Sequence, residues 1–311
     1  MVKTNARLTR KQRIWRDMKS SRWLYLMLLP VVVNMLIFSY GPMYGIQIAF
    51  RNFRLADGIW GSTWVGLDQF RRVFNSLEFP MVLWNSIRLN IFLLIFSFPI
   101  PIVLALLLNE IRNKYFKRVA QTVMYLPFFI AWVIIAGIII QMLSPSTGVI
   151  NSIIRLFGGD PIHFMANHNW WQVVFVTSDI WKSAGFGTIL YLAAISSIDV
   201  EQYEAARIDG ASRFQQCMKI TLPCLIPTIS LLLIFNIAGM MNVGFDQVFN
   251  LSNSMVRPVS EVFSVFVFRM GIERMQYSFT MAVGLFQTLV NLMLMLTANY
   301  ISGKMGGSKV L

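Results

Sequence analysis

The sequence predicts an all-α integral membrane protein with six transmembrane helices and both termini in the cytoplasm. Three observations carry that expectation. First, 56% of the 311 residues are hydrophobic and 13% are charged, against about 25% charge in soluble domains. Second, six apolar runs are long enough for the roughly 20 helical residues that cross a hydrocarbon core. Third, Lys and Arg crowd one set of connections, as they do on the cytoplasmic side of membrane proteins. The net charge of +13 therefore reflects topology and does not imply nucleic-acid binding.

The runs follow in order. The first is about 24–50, opening LYLMLLPVVVNML, and the second is about 82–108. The third is about 119–143, the fourth 171–195, the fifth 223–249 and the sixth 279–301. The first has a basic start like a secretory signal. Its apolar stretch is too long for a signal core and lacks an A-x-A cleavage site, so it is expected to stay as a span. Trp23 at the inner end of the first run, and Trp170 and Trp171 at the outer end of the fourth, read as interfacial anchors.

Orientation follows from the cations. The N-terminal tail holds Lys3, Arg7, Arg10, Lys11, Arg13, Arg16, Lys19 and Arg22. Arg112, Lys114, Lys117 and Arg118 lie between runs two and three, and Arg207, Arg213 and Lys219 between runs four and five. Lys304 and Lys309 lie in the C-terminal tail. The other connections, about 51–81, 144–170 and 250–278, are longer with fewer cations, and face outward. The expected organisation is a basic tail over 1–23, a first helix with its outer loop over 24–81, a five-helix core over 82–302 and a short tail over 303–311. The core includes a cytoplasmic loop over 196–222. No soluble domain is visible.

That loop contains YEAARIDGASRFQQCMKITLP, over 203–223. Tyr203 to Ile208 reads as a short helix. Asp209-Gly210 is a turn signal, because glycine takes positive φ without steric penalty. Ala211 to Ile220 reads as a second short helix, and Leu222-Pro223 starts the fifth span, with proline tolerated in a first helical turn. Two short helices at a sharp angle make a protruding knob. Its small residues, Ala205, Ala206, Gly210 and Ala211, permit close approach by another surface.

The spacing Glu204-Ala205-Ala206, Gly210, Ile220, Leu222-Pro223 resembles the loop motif of binding-protein-dependent ABC importer permeases. Other segments agree, and the resemblance covers nearly the whole chain. WVGLDQF at 64–70 resembles the outer loop before span two in maltose-type and glycerol-phosphate-type permeases. IWKSAGFGTILYLAAISSID at 180–199 resembles their fourth span, and GFDQVFNLSN at 244–253 the outer end of their fifth. Many sugar permeases then carry Thr-x-Gly-Gly-Pro; here the segment reads LSNSMVRP. In this it resembles the lipoprotein-type subgroup linked to complex oligosaccharide uptake.

The resemblance implies a type I ABC importer permease (MetI-like) fold in a bacterial cytoplasmic membrane. It implies a second homologous permease subunit, two copies of a cytoplasmic ATPase and an extracellular or periplasmic solute-binding protein. The cargo would be a carbohydrate. Glu204, with Ala205, Ala206, Asp209, Gly210, Ala211, Ile220, Leu222 and Pro223, would form the element that couples to the ATPase. ATP and Mg would be bound by the partner ATPase subunits and no cofactor by this chain, which lacks the pattern G-x-x-x-x-G-K-[ST].

Ionisable groups at membrane depth are functional candidates. Lys182 falls midway along the fourth run and Asp179 lies three residues earlier, so the two are placed to pair or to line a pathway. In the fifth run Phe235, Gly239, Asn242 and Asp246 share a helical stripe with Gln247 beside it. This suits a sugar path, or equally a helix–helix seam. Tyr191 and Arg88 are weaker candidates, and Arg88 can snorkel to the outer interface. His163 and His168 are too few for a metal site, and Cys217 and Cys224 read as a reduced cytoplasmic pair. No catalytic set appears. A secondary transporter or channel working alone would show inverted repeats and interrupted spans, and neither is evident in the runs. A membrane enzyme would need clustered carboxylates or histidines at one face.

Overall fold

A computed structural model describes residues 20–304. The basic residues Lys3 to Lys19, and Lys309, lie outside the described residues. The chain forms two compact units, one ending at Gln69 and the other beginning at Phe70. In the first unit α1, Arg22–Phe50, is the first span. It exposes apolar side chains such as Met27 and Phe38, as a helix solvated by lipid does. A hairpin follows, β1 (Arg51–Arg54) and β2 (Ser62–Trp64), paired antiparallel with Arg51 opposite Trp64. Arg51 pins it by donating to the Ser62 carbonyl at 2.9 Å while its guanidinium lies over the rings of Trp60 and Trp64.

The second unit begins its membrane-spanning part with α2, Phe79–Glu110. Then come α3 (Lys114–Phe129), α4 (Trp132–Met142), α5 (Val149–Leu156) and α6 (His168–Ser196). The knob helix α7 is Val200–Ile208, and α8 runs Arg213–Ala238. Outer helices α9 (Phe245–Leu251), α10 (Arg257–Ser260) and α11 (Phe263–Phe268) precede the last span α12, Tyr277–Lys304. Among the described residues four helices are long and apolar enough to cross a membrane, and six spans result if each bent pair counts as one.

Three widened π-type turns have a common cause in the sequence. Leu36–Tyr40, Leu93–Ser97 and Cys217–Thr221 each end two residues before a proline, namely Pro42, Pro99 and Pro223. Proline lacks an N–H, and its ring clashes with the carbonyl four residues back. That carbonyl falls in the middle of each widened turn, which relieves the clash. One consequence corrects the sequence expectation. Arg213 to Ile220 is not a separate short helix; it continues through Leu222-Pro223 into α8.

The third span is interrupted, which the hydropathy of its run did not reveal. α3 and α4 meet at a break of 97°. The break is possible at membrane depth only if its carbonyls find donors. Lys182, midway along α6, supplies them: Nζ donates to the carbonyls of Pro127 at 3.5 Å, of Phe128 at 2.8 Å and of Ile130. The rings of Phe128 and Trp132 flank the ammonium at 5.7 and 5.4 Å. α3 also runs in backbone contact with α6, because a Cβ on Gly185 would lie 1.9 Å from the Met124 carbonyl oxygen.

The fifth span ends earlier than the apolar run. α8 stops at Ala238 before Gly239, and the chain is recaptured by α12. Asn291 accepts from the Met241 N–H at 3.1 Å, and Gln287 donates to the Met241 carbonyl and to Asn242 Oδ1 at 2.9 and 2.6 Å. Phe235 and Gly239 therefore do not share a helix with Asn242 and Asp246.

The outward core gathers Trp171, Phe175, Val248, Leu251 and Val262. Trp171 is wholly buried there and donates Nε1–H to the Leu251 carbonyl at 2.9 Å, so it is a core residue and not an interfacial anchor. Trp170 stays exposed. The outer end of α2 is stitched to the 257–269 segment. Asn85 donates to the Pro258 and Glu261 carbonyls, and Arg88, which does not snorkel, donates to Asn85 and to the Val259 carbonyl. Arg269 joins Glu261 at 2.7 Å to Glu78 at 2.5 Å. Burial alone would lower the Arg269 pKa, but the hydrogen bonds and charges of these two carboxylates outweigh it and raise it.

Candidate functional site: a membrane cavity and a cytoplasmic knob

Two features of the second unit can act on other molecules. The first is a cavity of about 530 Å³ between α2, α6 and the end of α8. Proline and glycine shape it. Gly187 lies so close to Pro101 that a Cβ there would be 3.0 Å from its ring, and the departure of the chain from helix at Gly239 leaves the third wall short. The polar groups of the wall are amides, hydroxyls and one carboxylate, among them Asn90, Ser97, Asp179, Ser183 and Asn236. Aromatic faces come from Phe98, Tyr191 and Phe235. Asp179 is held by the Ser97 hydroxyl, which donates at 2.5 Å, and by Ser183 at 3.5 Å.

Of the residues that the sequence suggested, Asp179, Tyr191, Phe235 and Asn242 line this cavity, and Lys182, Asp246 and Gln247 do not. Asp179 and Lys182 are not paired, since one faces α2 and the other the break between α3 and α4. Gln247 is buried and donates to the Phe175 carbonyl at 2.7 Å and to Ser178 at 3.2 Å, which makes it a strut between α9 and α6. Asp246 is exposed in the first turn of α9. Sequence reasoning missed Ser97 and Ser183. Ser183 was within reach, being one helical turn from Asp179.

The second feature is the knob. α7 leaves α6 at 71°. Asp199 caps it, its side chain accepting from the Glu201 N–H at 3.0 Å. The far end closes by the paired bonds of a Schellman motif, Ala211 N–H to Ala206 and Gly210 N–H to Arg207. That closure requires the left-handed φ of +78° at Gly210. Ser212 and Gln215 form a capping box that starts α8. The knob is tied down by Tyr203 to Thr221 at 2.9 Å and by an ion pair of Arg213 with Glu110 at 3.1 Å. Its outer face presents Glu204, Ala205, Arg207, Ile208 and Asp209. Ile208 is 88% and Phe214 74% exposed, high values for such side chains. Ala206, Ala211, Ile220 and Leu222 sit half-buried behind them, and Pro223 is exposed. Among the described residues no group of three His, Cys, Asp or Glu side chains is placed to hold a metal ion.

A multi-pass helical protein with an opening at membrane depth and a rigid exposed knob on its cytoplasmic side is built as the membrane part of a transport system. Residues 97–306 match the family of binding-protein-dependent transport system inner membrane components, and the chain belongs to that family. It is 44% identical to protein LplB of Bacillus subtilis (strain 168), over 92% of this chain and 90% of that one. It is 41% identical to the polygalacturonan/rhamnogalacturonan transport system permease protein YteP of the same organism, over 96% and 92%. Its fold superposes with a TM-score of 0.87 on a chain of a bacterial ABC transporter involved in the import of the acidic polysaccharide alginate. That chain is 39% identical, and the match covers 94% of this chain and 99% of that one.

Proposed function

We propose that this chain forms one half of the passage through which an ATP-driven importer of the cytoplasmic membrane takes in a carbohydrate oligomer. A second, similar permease supplies the other half, and a binding protein delivers the sugar from outside. Two ATPase copies, which bind ATP and Mg, dock below. The observation that carries the reading is the knob. Capped at both ends and anchored by Tyr203 and Arg213, it can transmit a push without deforming. Glu204 has no hydrogen-bond or ion-pair partner among the described residues, so it is free to pair with a basic group of the ATPase. Ile208 and Phe214 fit an apolar cleft. A carbohydrate cargo is supported by the names of the relatives and by the cavity wall, where amides, hydroxyls and a carboxylate bond sugar hydroxyls and aromatic rings cover sugar faces.

The interrupted third span is the one observation that favours a transporter working alone, since such proteins bind coupling ions at broken helices. Here the carbonyls of the break already hold the ammonium of Lys182. The deciding experiment is uptake of a labelled oligosaccharide by proteoliposomes carrying this chain with its co-purifying subunits. Uptake that needs internal ATP and the binding protein supports the proposal. Uptake that proceeds without ATP on an ion gradient overturns it.

A further inference from the structure

Among the described residues, the cavity between α2, α6 and the end of α8 is lined by one ionisable acidic or basic side chain, the carboxyl of Asp179. Apart from Asp179, its wall is made of apolar, amide and hydroxyl groups. The Lys and Arg side chains of these helices lie outside the lining. Lys182 is adjacent in sequence to Ser183 of the wall, yet its ammonium is spent on the carbonyls of Pro127, Phe128 and Ile130. Arg88 donates from Nη2 to Asn85 and to the Val259 carbonyl. Asp179 is oriented from both sides by Ser97 and Ser183, so its carboxyl is presented to the cavity, and among the described residues it has no ion-pair partner. At membrane depth a like charge brought close is repelled far more strongly than in water. A hydroxyl brought to the same carboxylate makes a charge-assisted hydrogen bond instead.

Resting on the reading of this cavity as a carbohydrate passage, we propose that Asp179 is a specificity-determining residue. It makes this half of the route favour uncharged sugar units and disfavour uronates. Among the described residues the wall offers no cation that would receive a carboxylate group.

The test uses the complete transporter in proteoliposomes. In a background with Cys217→Ala and Cys224→Ala, Ser183→Cys places a thiol one helical turn from Asp179. Its rates of reaction with a cationic trimethylammonium-ethyl and an anionic sulfonatoethyl methanethiosulfonate are compared with and without Asp179→Asn, and with Asp179→Ser as a second neutral variant. The cation-to-anion rate ratio should fall by about tenfold or more when the carboxylate is removed. An unchanged ratio overturns the charge assignment. In the same vesicles without cysteine changes, a neutral trisaccharide should enter faster than its uronate counterpart, and Asp179→Asn should narrow that gap by about tenfold. Equal entry in the wild type, or a gap that Asp179→Asn leaves in place, overturns the specificity. If the thiol ratio falls but neither sugar enters on ATP, the charge stands and the carbohydrate reading fails.

Discussion

Lys182 shows how one residue sets the course of a span. An ammonium inside a membrane is tolerated when polar groups surround it, and here three backbone carbonyls and two aromatic rings do so. Replacing it by methionine leaves those carbonyls without a donor. Lys182→Met is expected to cost about 3 kcal/mol or more, measured by unfolding in detergent. Lys182→Ala should be partly restored by millimolar methylammonium, which a general packing defect would not be. Gly185→Val should lose about 1–3 kcal/mol by overpacking against the Met124 carbonyl, measured in the same way. The sequence marked Lys182 through its depth but suggested the wrong partner. Asp179 is a visible neighbour at helical spacing. The true acceptors are main-chain oxygens more than fifty residues away, which have no side-chain signature.

At the scale of elements, the short helix of the knob and its turn at Gly210 were legible because their chemistry is local, while the second short helix expected after them is the start of α8. Asp199, Gly210, Ser212 and Gln215 are capping residues at their capping positions. Gly210→Val forces a branched residue into the left-handed region, at a cost of about 1–2 kcal/mol. The expected outcome is a protein that still folds and inserts but loses ATPase-driven uptake, seen as normal expression with transport near background. What the sequence hid was direction within a span. A run of apolar residues looks the same whether the helix continues or bends. The breaks after Phe129 and Ala238 depend on Lys182, Gln287 and Asn291, all distant in the chain. The outer clasp was likewise invisible, since Glu78 lies 191 residues from Arg269, and Glu261, eight residues from it, lies across a helix break. Removing its centre by Arg269→Ala takes the cation from Glu78 and leaves the buried Glu261 only its pair with Arg257 at 3.3 Å, and should destabilise the fold by about 3 kcal/mol, read from thermal unfolding in detergent.

At the scale of the whole molecule, the chain belongs to the binding-protein-dependent transport family, and its parts divide the work of such a subunit. On the proposed reading, the cavity faces a cargo and the knob faces the subunits that hydrolyse ATP. Composition was enough to find the apolar runs that hold the four to six candidate spans, because lipid constrains every residue of a span alike. It was not enough to draw the cavity. Its wall comes from three helices, and its polar groups are serines and asparagines that are unremarkable in any one of them.

On the proposed reading, ATP hydrolysed by a partner subunit acts on this chain through Glu204. The most direct test is purification of the chain from detergent-solubilised membranes, wild type beside Glu204→Lys. Co-purifying ATPase and its stimulation by loaded binding protein are measured in both. The account predicts that the wild type brings down an ATPase whose hydrolysis is stimulated, while the folded Glu204→Lys protein loses the ATPase or its stimulation. A wild type that purifies without any ATPase, or a Glu204→Lys protein stimulated like the wild type, would contradict it.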